Sequence, residues 1–326
     1  MMDWSFTQKL TLVILIGMCV HYLILVGVDR LSGLTSPPLQ EGFTDGSSAE
    51  QTTLYTWNTD PQLIYDEFYA GVYDQLSQQH DRNKAKVGLL ANLWKKDGSD
   101  PKDWSVLDAG CGTGHAVTGF AKMGVGRVIG MDMSPAMMRQ AEQTLVQEKL
   151  PDNQKQVIRW RQDNLINPSA CAAGEFTHAV CFYFSLYYLQ DQEEFFRHMN
   201  LWTKPGGKFA VEVVNKYKFD PVLESASPFL GFSVQKYSKE RVMKSSVTFD
   251  KFIYQSEFSL SADPKAEFYE TFRFKNGHVR RQKHTFIMPT IEQIVQMGKR
   301  AGWKYVGYQD LNPIGFEYAY ILMFEK

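Results

Sequence analysis

The sequence is poor in cysteine and almost without net charge. Its 326 residues include four Cys, at positions 19, 111, 171 and 181, and none forms a C-x-x-C pair. That argues against a disulfide framework or a zinc knuckle and fits a reducing compartment. No cluster of His, Cys or acids has metal-ligand spacing, so no metal is expected. Lys and Arg total 35 against 36 Asp and Glu, a formal charge of −1. A chain without a basic excess is not built chiefly to grip phosphate backbones, and no nucleic-acid partner is expected. An internal repeat and a usable N-glycosylation sequon are also missing; Asn167 is followed by Pro168. Apolar material is plentiful. Hydrophobic residues make up 44% and aromatics 14%, enough for a sizeable core and too much for a disordered chain.

One stretch lacks charge altogether. The nineteen residues from Leu10 to Val28 contain no Asp, Glu, Lys or Arg. As a helix they would measure about 28 Å, close to the hydrocarbon thickness of ~30 Å. A cleavable signal would have a shorter apolar core and a small-residue cleavage site. Here Val26-Gly27-Val28 runs straight into Asp29-Arg30. Residues 1–30 are therefore expected to be a transmembrane anchor, spanning with 10–28. Residues 31–56, rich in Ser, Thr, Gly, Pro and acids, read as a flexible linker.

The remainder, 57–326, reads as one α/β domain. Asp60-Pro61 opens a helix in which Ile64, Phe68, Val72 and Leu76 recur every fourth residue, and a second helix spans about Asn83 to Lys96. Strands are then expected at Ser105–Asp108, Arg127–Asp132, Gln156–Trp160, Thr177–Phe184 and Lys208–Val214. Helices between them run from Gly114 to Met123, from a Ser134 cap to Glu148, and from Gln192 to Trp202. This alternation implies crossover units and a parallel sheet. The rhythm changes over about 229–288. Val247–Leu260, Glu267–Lys275 and His278–Met288 read as strands of an antiparallel insertion, with Asn276-Gly277 as a hairpin turn. Thr290 and Gln293 form a capping box, and strands Lys304–Leu311 and Glu317–Phe324 end the chain as a hairpin.

The most informative stretch is Asp108-Ala109-Gly110-Cys111-Gly112-Thr113-Gly114, placed between a strand and a helix. Glycine lets a chain turn sharply and press its backbone against a ligand. Twenty-four residues past Asp108 the next strand ends in Asp132, suited to accept hydrogen bonds from ribose hydroxyls. Gln162-Asp163-Asn164 leaves the third strand, where it could read an adenine amino group. Taken in order, D-A-G-C-G-T-G, V-I-G-M-D-M-S, Q-D-N and K-P-G-G resemble the class I S-adenosylmethionine-dependent methyltransferases over roughly Trp57 to Lys326. The resemblance implies a Rossmann-like seven-stranded sheet with helices on both faces and a reversed final strand. It implies S-adenosylmethionine as cofactor. Asp108, Gly110, Cys111, Gly112 and Gly114 would surround the methionine part, with Asp132 on the ribose, Met133 flanking the adenine, and Asp163 and Asn164 facing it.

A finer resemblance, to small-molecule N-methyltransferases such as those acting on amino sugars, rests on Ile64-Tyr65-Asp66-Glu67-Phe68-Tyr69 and the insertion. It implies an aromatic over the cofactor, for which Tyr69 is the match; Tyr65 and Tyr73 read as core. Where that subgroup often carries a His base, this chain has Tyr187 and Tyr188, the candidate proton acceptors. His115 could instead only cap its helix. Phe182, Tyr69 or Tyr183 could support the cationic sulfur. The expected activity is methyl transfer to nitrogen or oxygen of a small molecule or lipid. The alternatives are a catalytically silent, membrane-tethered binding module and an NAD-dependent oxidoreductase, the latter disfavoured by the glycine spacing. Arg273, Lys275, Arg280, Arg281, Lys283 and His284 around the hairpin read as a solvated face, or else as a patch for acidic lipid headgroups or an acidic substrate. The N-terminal flank, with Lys9 and the α-amino group, leans by charge toward the cytoplasm. Because the implied cofactor is made in the cytosol, the catalytic body of this single-pass protein is expected to face the cytosol.

Overall fold

The computed structural model describes residues 57–220, 241 and 243–326. The apolar run 10–28, the linker 31–56 and the start of the insertion lie outside the described residues. Among those described, no helix is long and apolar enough to cross a membrane. They all fall in one of the two units into which the chain divides, Tyr55–Lys326.

Asp60 caps α1 (Pro61–Ile64), its carboxylate accepting from Gln62 N–H at 2.9 Å. The four-residue repeat suggested one continuous helix, but Tyr65 departs from helical geometry. Asp66 then caps a new helix, α2 (Glu67–Ser77), accepting from Tyr69 N–H at 3.0 Å. Gln78, at φ 50°, ends α2 and starts α3 (Gln79–Trp94) without a side-chain cap. That helix begins four residues ahead of the expected Asn83, because its start carries no capping signal.

The crossover units follow as expected: β1 (Ser105–Ala109), α4 (His115–Lys122), β2 (Arg127–Asp132) and α5 (Pro135–Gln147), capped by Ser134. One turn of helix, α6 (Asp152–Lys155), delays β3 (Ile158–Gln162) by two residues. β4 (Phe176–Cys181) stops three residues short of Phe184, and a 3-10 turn at Ser185–Tyr188 takes over. After α7 (Gln192–Trp202), β5 (Thr203–Val214) starts earlier than expected. It runs through Pro205-Gly206-Gly207, which pairs with the backbone of Lys326.

The sheet order is β3-β2-β1-β4-β5-β11-β10, where β10 is Lys304–Asp310 and β11 is Ala319–Glu325. β1 to β5 are parallel, and β11 runs antiparallel to both neighbours. The strand order reverses between β1 and β4, and open α/β sheets place ligands at such a switch point. The insertion forms a separate antiparallel sheet, β6 (Lys244–Thr248), β7 (Phe252–Ala262), β8 (Lys265–Phe274) and β9 (Val279–Ile287). Val247–Leu260 is thus two strands rather than one; the chain turns back where Phe249 N–H donates to the Phe252 carbonyl. α8 (Ile291–Arg300) has the expected capping box.

Two apolar clusters hold the described residues together. The larger fills both faces of the seven-stranded sheet. The smaller joins Ile64, Tyr69, Ala70 and Leu76 to Phe252, Tyr254 and Phe272 of the insertion sheet and to Ala136 and Met137 of α5. α2 is therefore packed between the insertion sheet and α5.

Candidate active site

The glycine loop folds back under β2, with Gly110 and Cys111 N–H donating to the Met131 carbonyl at 2.8 and 2.9 Å. Gly110, Gly112 and Gly114 all have positive φ. A Cβ on Gly110 would lie 2.6 Å from Ser185 Oγ, and one on Gly114 would lie 2.8 Å from Ala141 Cβ. At Gly112 the nearest atom is Tyr73 Cε1, at 3.9 Å. Here the missing side chain leaves room instead of avoiding a clash.

That room belongs to a cleft partly open to solvent. The glycine loop from Gly110 to Thr113 forms one wall, Asp108 and Phe182 lie at the strand ends, and Tyr73, Gln79 and Asn83 form the opposite wall. Asp108 is 2% exposed. Burial pushes its pKa up to about 7, while Lys86 nearby pulls it back and Asp132 adds to the rise. Lys86 is itself fully buried. Burial lowers its pKa against the opposing pull of Glu212, whose Oε2 is 2.6 Å away. Glu212 also accepts from the N–H of Tyr183, a residue held at φ 55° beside the cleft. The buried pair thus supports the turn that carries Phe182 and Tyr183.

Two polar atoms in the cleft wall have no partner. Asn83 Nδ2 donates to Gln79 Oε1 at 3.0 Å, which leaves Gln79 Nε2 and Asn83 Oδ1 buried and unpaired. A stranded donor and acceptor are costly unless a ligand satisfies them. A ligand end with both a carboxylate and an ammonium fits this pair, and the bare backbone of Gly112 leaves room beside it.

Other expected site residues are placed differently. Asp132 accepts from Gly112 N–H at 3.0 Å and Ser134 N–H at 2.9 Å, so its carboxylate braces the loop. Burial raises its pKa, and those N–H groups oppose the rise. Met133 is 42% exposed beside it. Asp163 N–H donates to the Asp132 carbonyl, which brings the two loop ends together. Asp163 Oδ1 accepts from both Asn164 N–H and Asn167 Nδ2, and Asn164 Oδ1 accepts from Ile166 N–H. Tyr69 is buried among Tyr65, Tyr73, Phe272 and His284, and it is Tyr73, one turn further along α2, that lines the cleft. His115 binds Asp74 Oδ2 at 2.8 Å, and Thr113 donates to the other oxygen at 2.6 Å, tying α2 to the glycine loop.

The two candidate tyrosines part company. Tyr187 is fully buried, and its oxygen accepts from Val214 N–H at 2.8 Å, a structural brace. Tyr188 shares a hydrogen bond of 2.8 Å with the Tyr65 hydroxyl and contacts His284 Nδ1 at 2.5 Å. His284 is therefore buried, and the hairpin is not uniformly solvated. Arg280 also turns inward, to Asp66 at 2.7 Å and to the Ile64 carbonyl at 2.8 Å. Sequence reasoning missed Gln79, Asn83, Lys86 and Glu212. Gln79 and Asn83 lie one turn apart, a spacing visible only once α3 is known to begin at Gln79.

With that geometry in place, part of the chain can be compared with known proteins. Residues 106–207 match the family model described as a methyltransferase domain. The chain carries a methyltransferase domain. It spans β1 through the start of β5 and contains the whole glycine loop. No curated protein sequence matches the chain. Among solved structures, the CcbJ methyltransferase from Streptomyces caelestis has a TM-score of 0.57 at 16% identity, covering 80% of this chain and 97% of its own. The sugar N-methyltransferase KedS8 from Streptoalloteichus sp. has a TM-score of 0.55 at 16% identity, covering 87% and 99%. CalS10 from Micromonospora echinaspora, described as an amino pentose methyltransferase with SAM bound, has a TM-score of 0.52 at 16% identity, covering 82% and 99%. At such identities the likeness is one of fold.

Proposed function

We propose that this methyltransferase moves the methyl group of S-adenosylmethionine to nitrogen or oxygen of a small polar acceptor, with amino sugars the first class to try. The observation that carries the reading is the unpaired Gln79 Nε2 and Asn83 Oδ1 in a cleft walled by the bare glycine loop. Gln79 would donate to the cofactor's carboxylate, and Asn83, with Asp108 nearby, would take its ammonium. Asp132, by exchanging the Gly112 N–H, would take ribose hydroxyls. Bound S-adenosylmethionine supplies a methyl group already activated by its sulfonium. The protein's task is then to align the acceptor, exclude water and receive a proton. The faces of Phe182, Tyr73 and Tyr183 suit a cationic neighbour. The fold likeness to sugar N-methyltransferases supports the acceptor class.

The run 10–28 would anchor the enzyme in a membrane, with the methyltransferase domain on the cytosolic side. Calorimetry with S-adenosylhomocysteine, followed by transfer of labelled methyl to a panel of amino sugars, amines and lipids, tests the reading. Failure to bind S-adenosylhomocysteine would remove it; binding without transfer to any acceptor would leave a silent binding module.

A further inference from the structure

Beside the cleft runs a line of hydrogen-bonded side chains that no cofactor contact requires. It starts at Tyr65, between α1 and α2, and passes to Tyr188 at the end of the 3-10 turn, 2.8 Å away. From Tyr188 Oη it reaches His284 Nδ1 on β9 at 2.5 Å, and from His284 Nε2 it reaches Glu270 Oε2 on β8 at 2.6 Å. Glu270 also accepts from Tyr254 at 2.6 Å and from Gln282 Nε2 at 2.5 Å. His284 and Glu270 are each 1% exposed, whereas Tyr65 and Tyr188 are half-buried. The Tyr65 ring lies 6.1 Å from that of Tyr73, which walls the cleft. The line therefore has an outer phenolic end near the cleft and a buried, charged inner end.

The chemistry of the groups gives the line a direction. Burial pushes the pKa values of Tyr65 and Tyr188 well above the ordinary phenol value, so neither is a standing base. A phenol of that kind can only pass a proton on. Burial would raise the Glu270 pKa too, but His284, Tyr254 and Gln282 outweigh it and hold the carboxyl below its usual range. With its Nε2–H given to that carboxylate, His284 presents the Nδ1 lone pair to Tyr188. This is the logic of a nucleophile–histidine–carboxylate array, in which the acid orients the ring and stabilises the imidazolium that forms.

We propose that Tyr65, Tyr188 and His284, oriented by Glu270, receive the proton that the methyl acceptor gives up. The proposal rests on the methyl-transfer reading above. The acceptor's lone pair forms the new bond to carbon, and the electron pair of the broken C–S bond stays on sulfur. The acceptor's proton passes to the Tyr65 oxygen, the Tyr65 proton to Tyr188, and the Tyr188 proton to His284 Nδ1. The products are the methylated acceptor, a neutral thioether and an imidazolium beside the Glu270 carboxylate. His284 and Glu270 act through the tyrosines and are positioning residues. The titratable groups facing His284 are Glu270 from β8, Tyr188, Tyr65, and Tyr69 from α2, with Tyr254 of β7 behind Glu270. Arg280, four residues earlier on β9, is paired with Asp66.

The test uses the full chain in detergent with S-adenosylhomocysteine bound. Nitrogen-15 NMR of the histidine rings is followed from pH 6 to 9, with His284→Asn assigning the signal. The relay requires the ring proton on Nε2, the nitrogen facing Glu270, and Nδ1 free to accept from Tyr188. A ring doubly protonated throughout would overturn the relay, because it has no lone pair to receive a proton. Tyr188→Phe keeps the ring against Phe286 and removes only the hydroxyl. It should leave S-adenosylhomocysteine affinity unchanged, slow methyl transfer to the amino-sugar panel by about a hundredfold, and flatten the rise of rate with pH. Wild-type rate and pH profile in that variant would also overturn the relay. If the panel yields no turnover, the protonation state decides. Loss of S-adenosylhomocysteine binding in the wild type would instead strike the methyl-transfer reading itself.

Discussion

Asp108 and the glycines around it make the site testable residue by residue. Burial holds the Asp108 pKa at about 7 against the pull of Lys86. A ligand ammonium nearby favours the carboxylate, so binding at pH 6 should release a proton. Affinity for S-adenosylhomocysteine should climb as pH rises toward about 7 and level off above it. Calorimetry at pH 6 in two buffers of different ionisation enthalpy reads the proton, and Asp108→Asn should abolish its release. Two glycine variants separate binding from stability. A Cβ on Gly130 would sit 2.6 Å from Trp160 Cζ3 and 2.8 Å from Val117 Cγ2, inside the core. Gly130→Ala should cost about 1–3 kcal/mol of stability in denaturant melts. Gly112→Ala meets only Tyr73 at 3.9 Å but holds a left-handed backbone, which costs about 1–2 kcal/mol. Its methyl would enter the cleft, so affinity should fall as well, by roughly tenfold or more, equivalent to about 1.4 kcal/mol or above.

At the scale of elements, the junction of α1, α2 and β9 does more than the periodicity of its apolar residues indicates. Asp66 caps α2 with one oxygen and holds Arg280 of β9 with the other, while Arg280 lies 5.1 Å over the Phe68 ring. Charge on a hairpin reads as solvent-facing in sequence, yet this arginine ties the insertion sheet to the N-terminal helices. Asp66→Ala should cost about 1–2 kcal/mol, mostly from the lost cap. Asp66→Asn keeps a capping oxygen and removes the charge, so thermal melts of the two variants isolate the ion pair. Equal losses in both would assign the whole effect to the charge.

Across the described residues, the insertion sheet meets the methyltransferase domain directly, at Phe184 and Tyr188 against Phe286, and also packs on α2. Phe272 of β8 lies in the smaller apolar cluster, 5.2 Å by ring centre from Phe68 of that helix. Phe272→Ala should cost about 3–5 kcal/mol. It should also weaken S-adenosylhomocysteine binding, because the helix it releases carries Tyr73 into the cleft wall. Unchanged affinity in a destabilised variant would show that α2 holds its place without the insertion. The proposed anchoring by 10–28 is tested separately: if it holds, the full chain should float with liposomes, and a chain beginning at Trp57 should stay in solution.

What depends on local geometry is legible in the order of the amino acids. Glycines at 110, 112 and 114 read as a tight loop because positive φ is a property of single residues. Ser134, Thr290 and Gln293 read as caps because a cap is made within one turn. The alternation of strands and helices is likewise written in short apolar periods. Tertiary structure alone decided which aromatic of α2 faces the cleft, since the left-handed Gln78 and the break at Tyr65 set the phases of the helices. It also decided the company of Tyr188. His284 is 96 residues away in sequence, and Glu270 joins it only through the register of β8 and β9. Contacts at that separation follow from how whole strands pair and pack, and no local pattern of residues encodes them.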